Sequence, residues 1–158
     1  MSTSSHADHL AVCDTVYSYA SAIDRRDWSL YRSLFGDEIE VDFSTFNGQQ
    51  PSKMETDVWA SGVRARLSGL ESTHHMMSNP QVQTNDDHAV CMMYMRAMHV
   101  VDTSDSGWFE IGGYYTIRLA RGAERWLLRS LHLTVLWRRG DPQVMARGRA
   151  RAGAADWV

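Results

Sequence analysis

The sequence predicts an α+β domain in which N-terminal helices cover one face of a mostly antiparallel sheet. Two observations carry this. Near the N-terminus apolar residues recur at helical spacing, and after Glu71 three long stretches alternate apolar and polar residues with period two. Most of the helical signal precedes the strand signal, which is the order of an α+β chain rather than of alternating βαβ units.

The first element is a helix, because Leu10, Cys13, Tyr17, Ala20 and Asp24 recur three and four residues apart while Asp14, Ser18, Ser21 and Arg25 occupy another face. A second short helix is expected over residues 28–34, and Gly36-Asp37 punctuates before a strand-like run at 39–43. A third helix is expected over 54–67. In 89–101 the odd positions are Ala89, Cys91, Met93, Met95, Ala97, His99 and Val101, and in 109–119 they are Phe109, Ile111, Gly113, Tyr115, Ile117 and Leu119. Those odd faces are read as buried, as are Leu127, Leu131, Leu133, Val135 and Trp137 in the last strand, with His132 and Thr134 pointing the other way. The opposite face carries Trp108, Tyr114, Trp126, Leu128 and Leu136, too apolar to leave in water, so a homo-oligomer, dimer or trimer, is expected to cover it. From Arg138 the composition turns to Arg, Gly and Ala without a clear period. The chain therefore divides into a domain at 1–139 and a C-terminal extension at 140–158, available to pack on a neighbouring subunit.

Composition bounds the function class. The 158 residues are 44% apolar and 22% charged with a net charge of −3, the profile of one globular domain. A chain of this length buries about 70% of its unfolded surface and needs no staples. Cys13 and Cys91 form no C-x-x-C and no zinc spacing, which suits a reduced, cytoplasmic protein. There is no basic stripe for nucleic acid and no apolar run approaching the roughly 18 residues of a membrane span. Residues 1–9 are polar rather than a signal peptide.

Chemistry-bearing residues stand out where the pattern asks for apolar ones. Asp24 lies on the apolar stripe of the first helix. Buried there it needs a partner such as histidine, because desolvation disfavours its charge; alternatively the helix ends at Asp24 and the carboxylate is solvated or caps the next turn at Asp27-Trp28. His99 is the one polar residue on the buried face of its strand. Of the adjacent pair His74-His75 one faces inward, and the local pattern does not choose between them. Tyr115 sits on a buried face beside Gly113, where its hydroxyl needs a partner. The composition of two histidines and an aspartate evokes a metal triad, yet the ligands are scattered with no local metal spacing, so no metal and no cofactor is expected.

The segment YASAIDRRDWSLYRSLFGDEIEVDFSTF, the D-x-x-D-W at Asp24 to Trp28 and the T-x-H-x-x-x-N at Thr73 to Asn79 resemble scytalone dehydratase and its bacterial relatives among the SnoaL-like and nuclear transport factor 2-like proteins. The resemblance runs over about residues 10–138. It implies a conical α+β barrel, a strongly curved sheet closed by N-terminal helices around a pocket. It also implies that Asp24 is the family's catalytic aspartate and that His75 and His99 are its pocket histidines, with His75 the principal base and acid. The positions of the two tyrosines that hold a water on the substrate carbonyl are Ile23 and Phe43 here, and the family's pocket serine and asparagine fall on Gly113 and Tyr115. Acid-base machinery is thus kept while carbonyl recognition is altered. Tyr115, or failing that Tyr17, is the candidate carbonyl donor, and Phe43, Phe46, Met93, Met95, Ala97, Leu131, Leu133 and Val135 are the expected apolar lining. The implied activity is cofactor-independent dehydration of a hydrophobic cyclic or polyketide-like β-hydroxy carbonyl compound. Ring isomerisation, cyclisation or a non-catalytic binding or assembly role are the alternatives that the same superfamily offers.

Overall fold

The computed structural model describes residues 6–153. Its elements are α1 (His6–Asp24), α2 (Trp28–Ser33), β1 (Phe35–Asp42), α3 (Ser44–Asn47), β2 (Ser52–Glu55), α4 (Thr56–Leu67), β3 (Ser72–Thr84), β4 (His88–Val100), β5 (Trp108–Arg121), β6 (Trp126–Gly140) and α5 (Gln143–Ala152). The six strands form one sheet in the order β2-β1-β6-β5-β4-β3, antiparallel except for the β1–β6 pair. Helices α1, α2 and α4 pack on its inner face, and the core lies between them.

Helix α1 forms as predicted and buries Cys13 and Ala20 of the expected stripe, but its buried face is rotated from that stripe. Val12, Val16, Tyr19 and Ile23 face the core, whereas Leu10 and Tyr17 are 49% and 39% exposed. The spacing of the buried set is equally helical, and the helix is apolar around so much of its circumference that periodicity alone does not choose a face. The end of α1 explains the D-x-x-D-W motif. The Arg26 and Asp27 N–H groups donate to the Ile23 and Ala22 carbonyls, and Arg26 has φ of 57°, so the helix closes in a Schellman turn with an arginine in the left-handed position. Asp27 then caps α2 by accepting from Leu30 N–H at 2.9 Å. The capping role open to Asp24 is therefore taken by Asp27.

The alternation of β4 and β5 places faces as expected, from Ala89 to His99 and from Phe109 to Leu119. Strand β6 departs from it. Ser130 pairs with Arg118 but Leu128 with Leu119, so Arg129 is an extra residue; Trp137 pairs with Gly112 but Val135 with Gly113, so Leu136 is another. Each bulge inverts the parity. Trp126 and Leu128, assigned above to an oligomer face, are 2% and 0% exposed in the chain's own core, while Leu127 is only half-buried. Trp137, expected inside, lies on the outer face over Gly112, where a Cβ would stand 2.1 Å from the ring. Among the described residues, what remains apolar and exposed on the outer face is Met76, Val90, Tyr94 and Leu136, with Trp108 and Tyr114 partly exposed.

Two short elements escape the sequence pattern. The edge strand β2 is nearly all exposed and carries no alternation, and α3 is a single turn. The start of the C-terminal extension is helical and packs on its own chain. Val144 of α5 is fully buried, and the Gly148 carbonyl lies so close to Gly69 that a Cβ there would approach it to 1.9 Å. Gly69, just beyond α4, therefore has no room for a side chain at this contact, while a Cβ at Gly148 would press on the Leu70 side chain. Residues 154–158 of the extension lie outside the described residues.

Candidate active site

Strand register brings the polar residues together. Directly paired residues share a face, and Ala97 of β4 faces the core; its partner on β3 is His75, and the next inward pair is Thr73 with His99. The inward histidine is therefore His75, and His74 lies opposite Met98 on the other face. The end of α1 brings Asp24 to the same place, where Oδ2 accepts from the His75 backbone N–H at 2.7 Å and Oδ1 meets His75 Nδ1 at 2.7 Å. The Thr73 hydroxyl donates to Oδ1 at 2.9 Å. These donors compensate a carboxylate in the last turn of a helix, where the helix dipole disfavours negative charge. Burial pushes the Asp24 carboxyl up, but its hydrogen bonds to the His75 ring, the charge that ring can carry, the His75 N–H and Thr73 together hold it below the ordinary carboxylate range.

Arg26 completes the cluster. Its Nη1 donates to the Ile23 carbonyl at 2.8 Å and to Thr73 Oγ1 at 2.9 Å, while its Nη2 is buried without a partner. Thr73 thus accepts from a cation on one side and donates to the carboxylate on the other. His99 packs edge-on to His75 with ring centroids 5.6 Å apart and is 5% exposed. Desolvation first, then the adjacent His75, push its pKa down to about 3, against an opposing backbone hydrogen bond at Phe109. His99 is neutral at physiological pH, and its Nδ1 is buried without a partner.

Both imidazoles line a cavity of about 100 Å³ between α1, α4 and the sheet. Of the expected lining, Phe43, Phe46, Met95, Ala97, Tyr115 and Leu133 are present. Tyr17 is not, being on the exposed side of α1, and Met93 and Leu131 are fully buried in the core away from the cavity. Val135 sits at the second bulge of β6, where its N–H is bonded to Thr45 at 3.0 Å, and it too is off the wall. Thr45 also donates to the Leu133 carbonyl at 2.8 Å, so the bulge anchors α3 and holds Phe43 and Phe46 over the cavity.

The sequence reading missed Tyr19, Ile111 and Met145, as well as the α4 face made by Trp59, Val63, Arg66 and Leu67. Tyr19 follows from the rotated stripe of α1. The α4 face was visible in principle, as an arginine on an otherwise apolar stripe spaced four and three residues apart. Trp59 Nε1 donates to the Tyr31 hydroxyl at 3.0 Å, Tyr31 is in looser contact with Tyr19, and the Tyr19 and Tyr115 hydroxyls are 3.4 Å apart. Indole is only a donor, so Tyr31 accepts from it and its own hydrogen is free to pass onward. Burial first, then the neighbouring hydroxyls, raise the Tyr115 phenol well above its usual value, so it stays a protonated donor.

With Nδ1 engaged by a carboxylate, a neutral His75 carries its proton there and leaves Nε2 as a base at the cavity. Among the described residues no three His, Cys, Asp or Glu side chains are arranged to hold a metal ion, and no helix is long and apolar enough to cross a membrane.

Comparison with known proteins agrees with this architecture. The model of the SnoaL-like domain matches residues 4–132. No curated protein matches the chain. Among solved structures, the Kfla4162 protein of Kribbella flavida superposes with a TM-score of 0.81 at 22% identity, covering 90% of this chain and 97% of that one. A proposed scytalone dehydratase from Novosphingobium aromaticivorans gives 0.74 at 16% identity, over 85% and 87%. A type 2 hexachlorocyclohexane dehydrochlorinase gives 0.67 at 17% identity, over 85% and 88%. At these identities the likeness is one of fold, the cone-shaped α+β architecture of the nuclear transport factor 2-like superfamily.

Proposed function

The chain belongs to the SnoaL-like domain family, and from that premise we propose that it is a cofactor-independent lyase that removes water from a cyclic β-hydroxy carbonyl compound. The observation that carries the reading is a histidine fixed by a carboxylate through both its ring and its backbone N–H, whose imidazole lines a largely apolar cavity. His75 Nε2 takes the proton α to the carbonyl, and Asp24 stabilises the imidazolium so formed. The C–H electrons become the enolate, then the new C=C bond as the β C–O bond breaks. The departing hydroxide receives the same proton back from His75, so the step releases one water and consumes nothing. Neutral His99 hydrogen-bonds the leaving oxygen through its unpartnered Nδ1, and Tyr115, at the end of the Trp59–Tyr31–Tyr19 chain, donates to the carbonyl oxygen. Ile23 and Phe43, which offer no hydroxyl, also line the wall.

A ring isomerase or cyclase would begin with the same proton abstraction and differ only in the fate of the enolate, and a binding subunit would need no base. The test is a panel of cyclic β-hydroxy ketones followed by ultraviolet absorbance for the conjugated enone and by mass spectrometry for loss of water. Enone formation unaffected by a chelator is expected. Rearranged product of unchanged mass would favour the isomerase, and binding without turnover across the panel would favour the binding subunit. The residual apolar outer face, centred on Tyr94 and Leu136, is the surface by which copies of the chain are proposed to associate, and light scattering at micromolar concentration reads this as a dimer or trimer.

A further inference from the structure

Arg66 is the one cavity-lining side chain that carries a positive charge irrespective of pH. It projects from the same face of α4 as the buried Trp59, Val63 and Leu67, with its guanidinium carbon 5.4 Å from the Trp59 ring centroid. Among the described residues no carboxylate pairs with it and no hydrogen-bond acceptor meets it. The other partly buried arginines have acceptors: Arg32 pairs with Asp57, Arg147 with Asp102, and Arg26 donates to the Ile23 carbonyl and Thr73. Among the described residues the arginines with neither a carboxylate nor another hydrogen-bond acceptor are otherwise exposed. The formal charge closest in influence to Arg66 is that of Arg149 on α5, also positive. The only carboxylate of the site, Asp24, is committed to His75 and Thr73. A half-buried guanidinium with five donors, at the cavity wall and with no acceptor among the described residues, is open to an anionic ligand.

Its position adds a second argument. Phe43, Trp59 and Arg66 line the inner cavity and also an outer depression of about 200 Å³ beside α3 and β2. These three side chains are the partition between the catalytic cavity and solvent, so a ligand entering by this route passes the guanidinium. We propose that Arg66 binds a carboxylate carried by the ring substrate, at the end of the cavity toward α4, and thereby sets which edge of the ring faces His75. This rests on the cavity being the substrate site, and it narrows the substrate class to acidic cyclic compounds. The competing role is packing alone, in which the aliphatic stem covers the apolar wall and the head is merely hydrated.

The two roles separate in a binding measurement that needs no native substrate. Benzoate and its neutral isostere benzamide are titrated into the full chain at pH 7, with the Trp59 indole and the His75 and His99 ring resonances as reporters. Expected for wild type is binding of both with at least a tenfold preference for benzoate. Arg66→Met, which keeps the stem, should abolish the preference with benzamide affinity unchanged, and Arg66→Lys should retain part of it. Arg66→Gln serves should the methionine variant fail to fold. Equal affinity of the two ligands in wild type, or a preference that survives loss of the guanidinium, overturns the role of Arg66 while leaving the cavity as the ligand site. Binding of neither ligand overturns the cavity reading and this proposal together.

Discussion

The described residues hold two aspartate–histidine pairs, one on each side of the sheet, and only one of them is built like a site. Inside, Asp24 and His75 meet at 2.7 Å with side chains 19% and 8% exposed. Outside, Asp42 and His132 stand 3.6 Å apart with side chains 25% and 51% exposed. The outer pair lies in the roomier hollow, an open depression of about 470 Å³ against about 100 Å³ inside. Volume and residue identity therefore do not separate them. The inner carboxylate is fixed by its histidine twice and by Thr73, whereas Asp42 is satisfied chiefly by Ser44, whose hydroxyl and N–H hold its carboxyl below the usual range, with His132 the smallest contributor. Water screens the outer pair, and the inner one faces an apolar wall where proton transfer is not short-circuited by solvent.

The widest gap between the two pairs should appear in turnover. His75→Ala is expected to lower kcat by roughly 10² to 10⁴, with Asp24→Asn in the same direction, while His132→Ala and Asp42→Asn stay within about twofold of wild type. Parallel assays on folded proteins check this. Next in size is acid stability. His99 has a folded pKa of about 3 against about 6.5 unfolded, so the unfolded state binds more protons throughout that window and stability falls as pH drops through it. At about 1.4 kcal/mol per unit the loss amounts to at most about 5 kcal/mol. Asp24, whose folded pKa is lowered, adds stability that is present above about 4 and lost as pH falls further. Urea melts of wild type and His99→Gln between pH 7 and 3.5 should show a flatter acid limb in the variant, whereas His132→Gln should keep the wild-type slope. A smaller effect is expected from Tyr115→Phe, about tenfold on kcat with little change in KM, since its hydrogen bond strengthens as charge develops on the carbonyl oxygen. An unchanged kcat would assign Tyr115 to packing. Smallest of all, His132→Ala should move unfolding free energy by less than about 0.5 kcal/mol.

Legibility in the sequence divides along similar lines. Alternation in β4 and β5 gave away His99 and the inner face, because those strands run without a bulge against each other and parity is conserved from end to end. Pattern alone could not choose between His74 and His75; that needs the pairing partner Ala97, which is a long-range fact, and the family resemblance supplied it instead. Parity misled in β6, where Arg129 and Leu136 are each one residue too many and bulges leave no composition mark. In α1 the apolar character is spread so widely that Tyr17 and Tyr19 were exchanged, and with them the tyrosine that borders the cavity. The polar cluster of the candidate site is legible as residues out of place in the pattern, whereas the walls depend on register and helix rotation that local pattern does not fix.

The central claim is that His75 is the base acting on a carbon acid held in the inner cavity, and deuterium exchange reads that step even without complete turnover. A cyclic β-hydroxy ketone from the panel is incubated in deuterated buffer with wild type, His75→Gln and His132→Gln, and deuterium at its α-carbon is followed by NMR. The account predicts enzyme-dependent exchange in wild type and in His132→Gln, reduced at least a hundredfold in folded His75→Gln. Exchange at the wild-type rate in His75→Gln, or exchange lost equally in both variants, would contradict it.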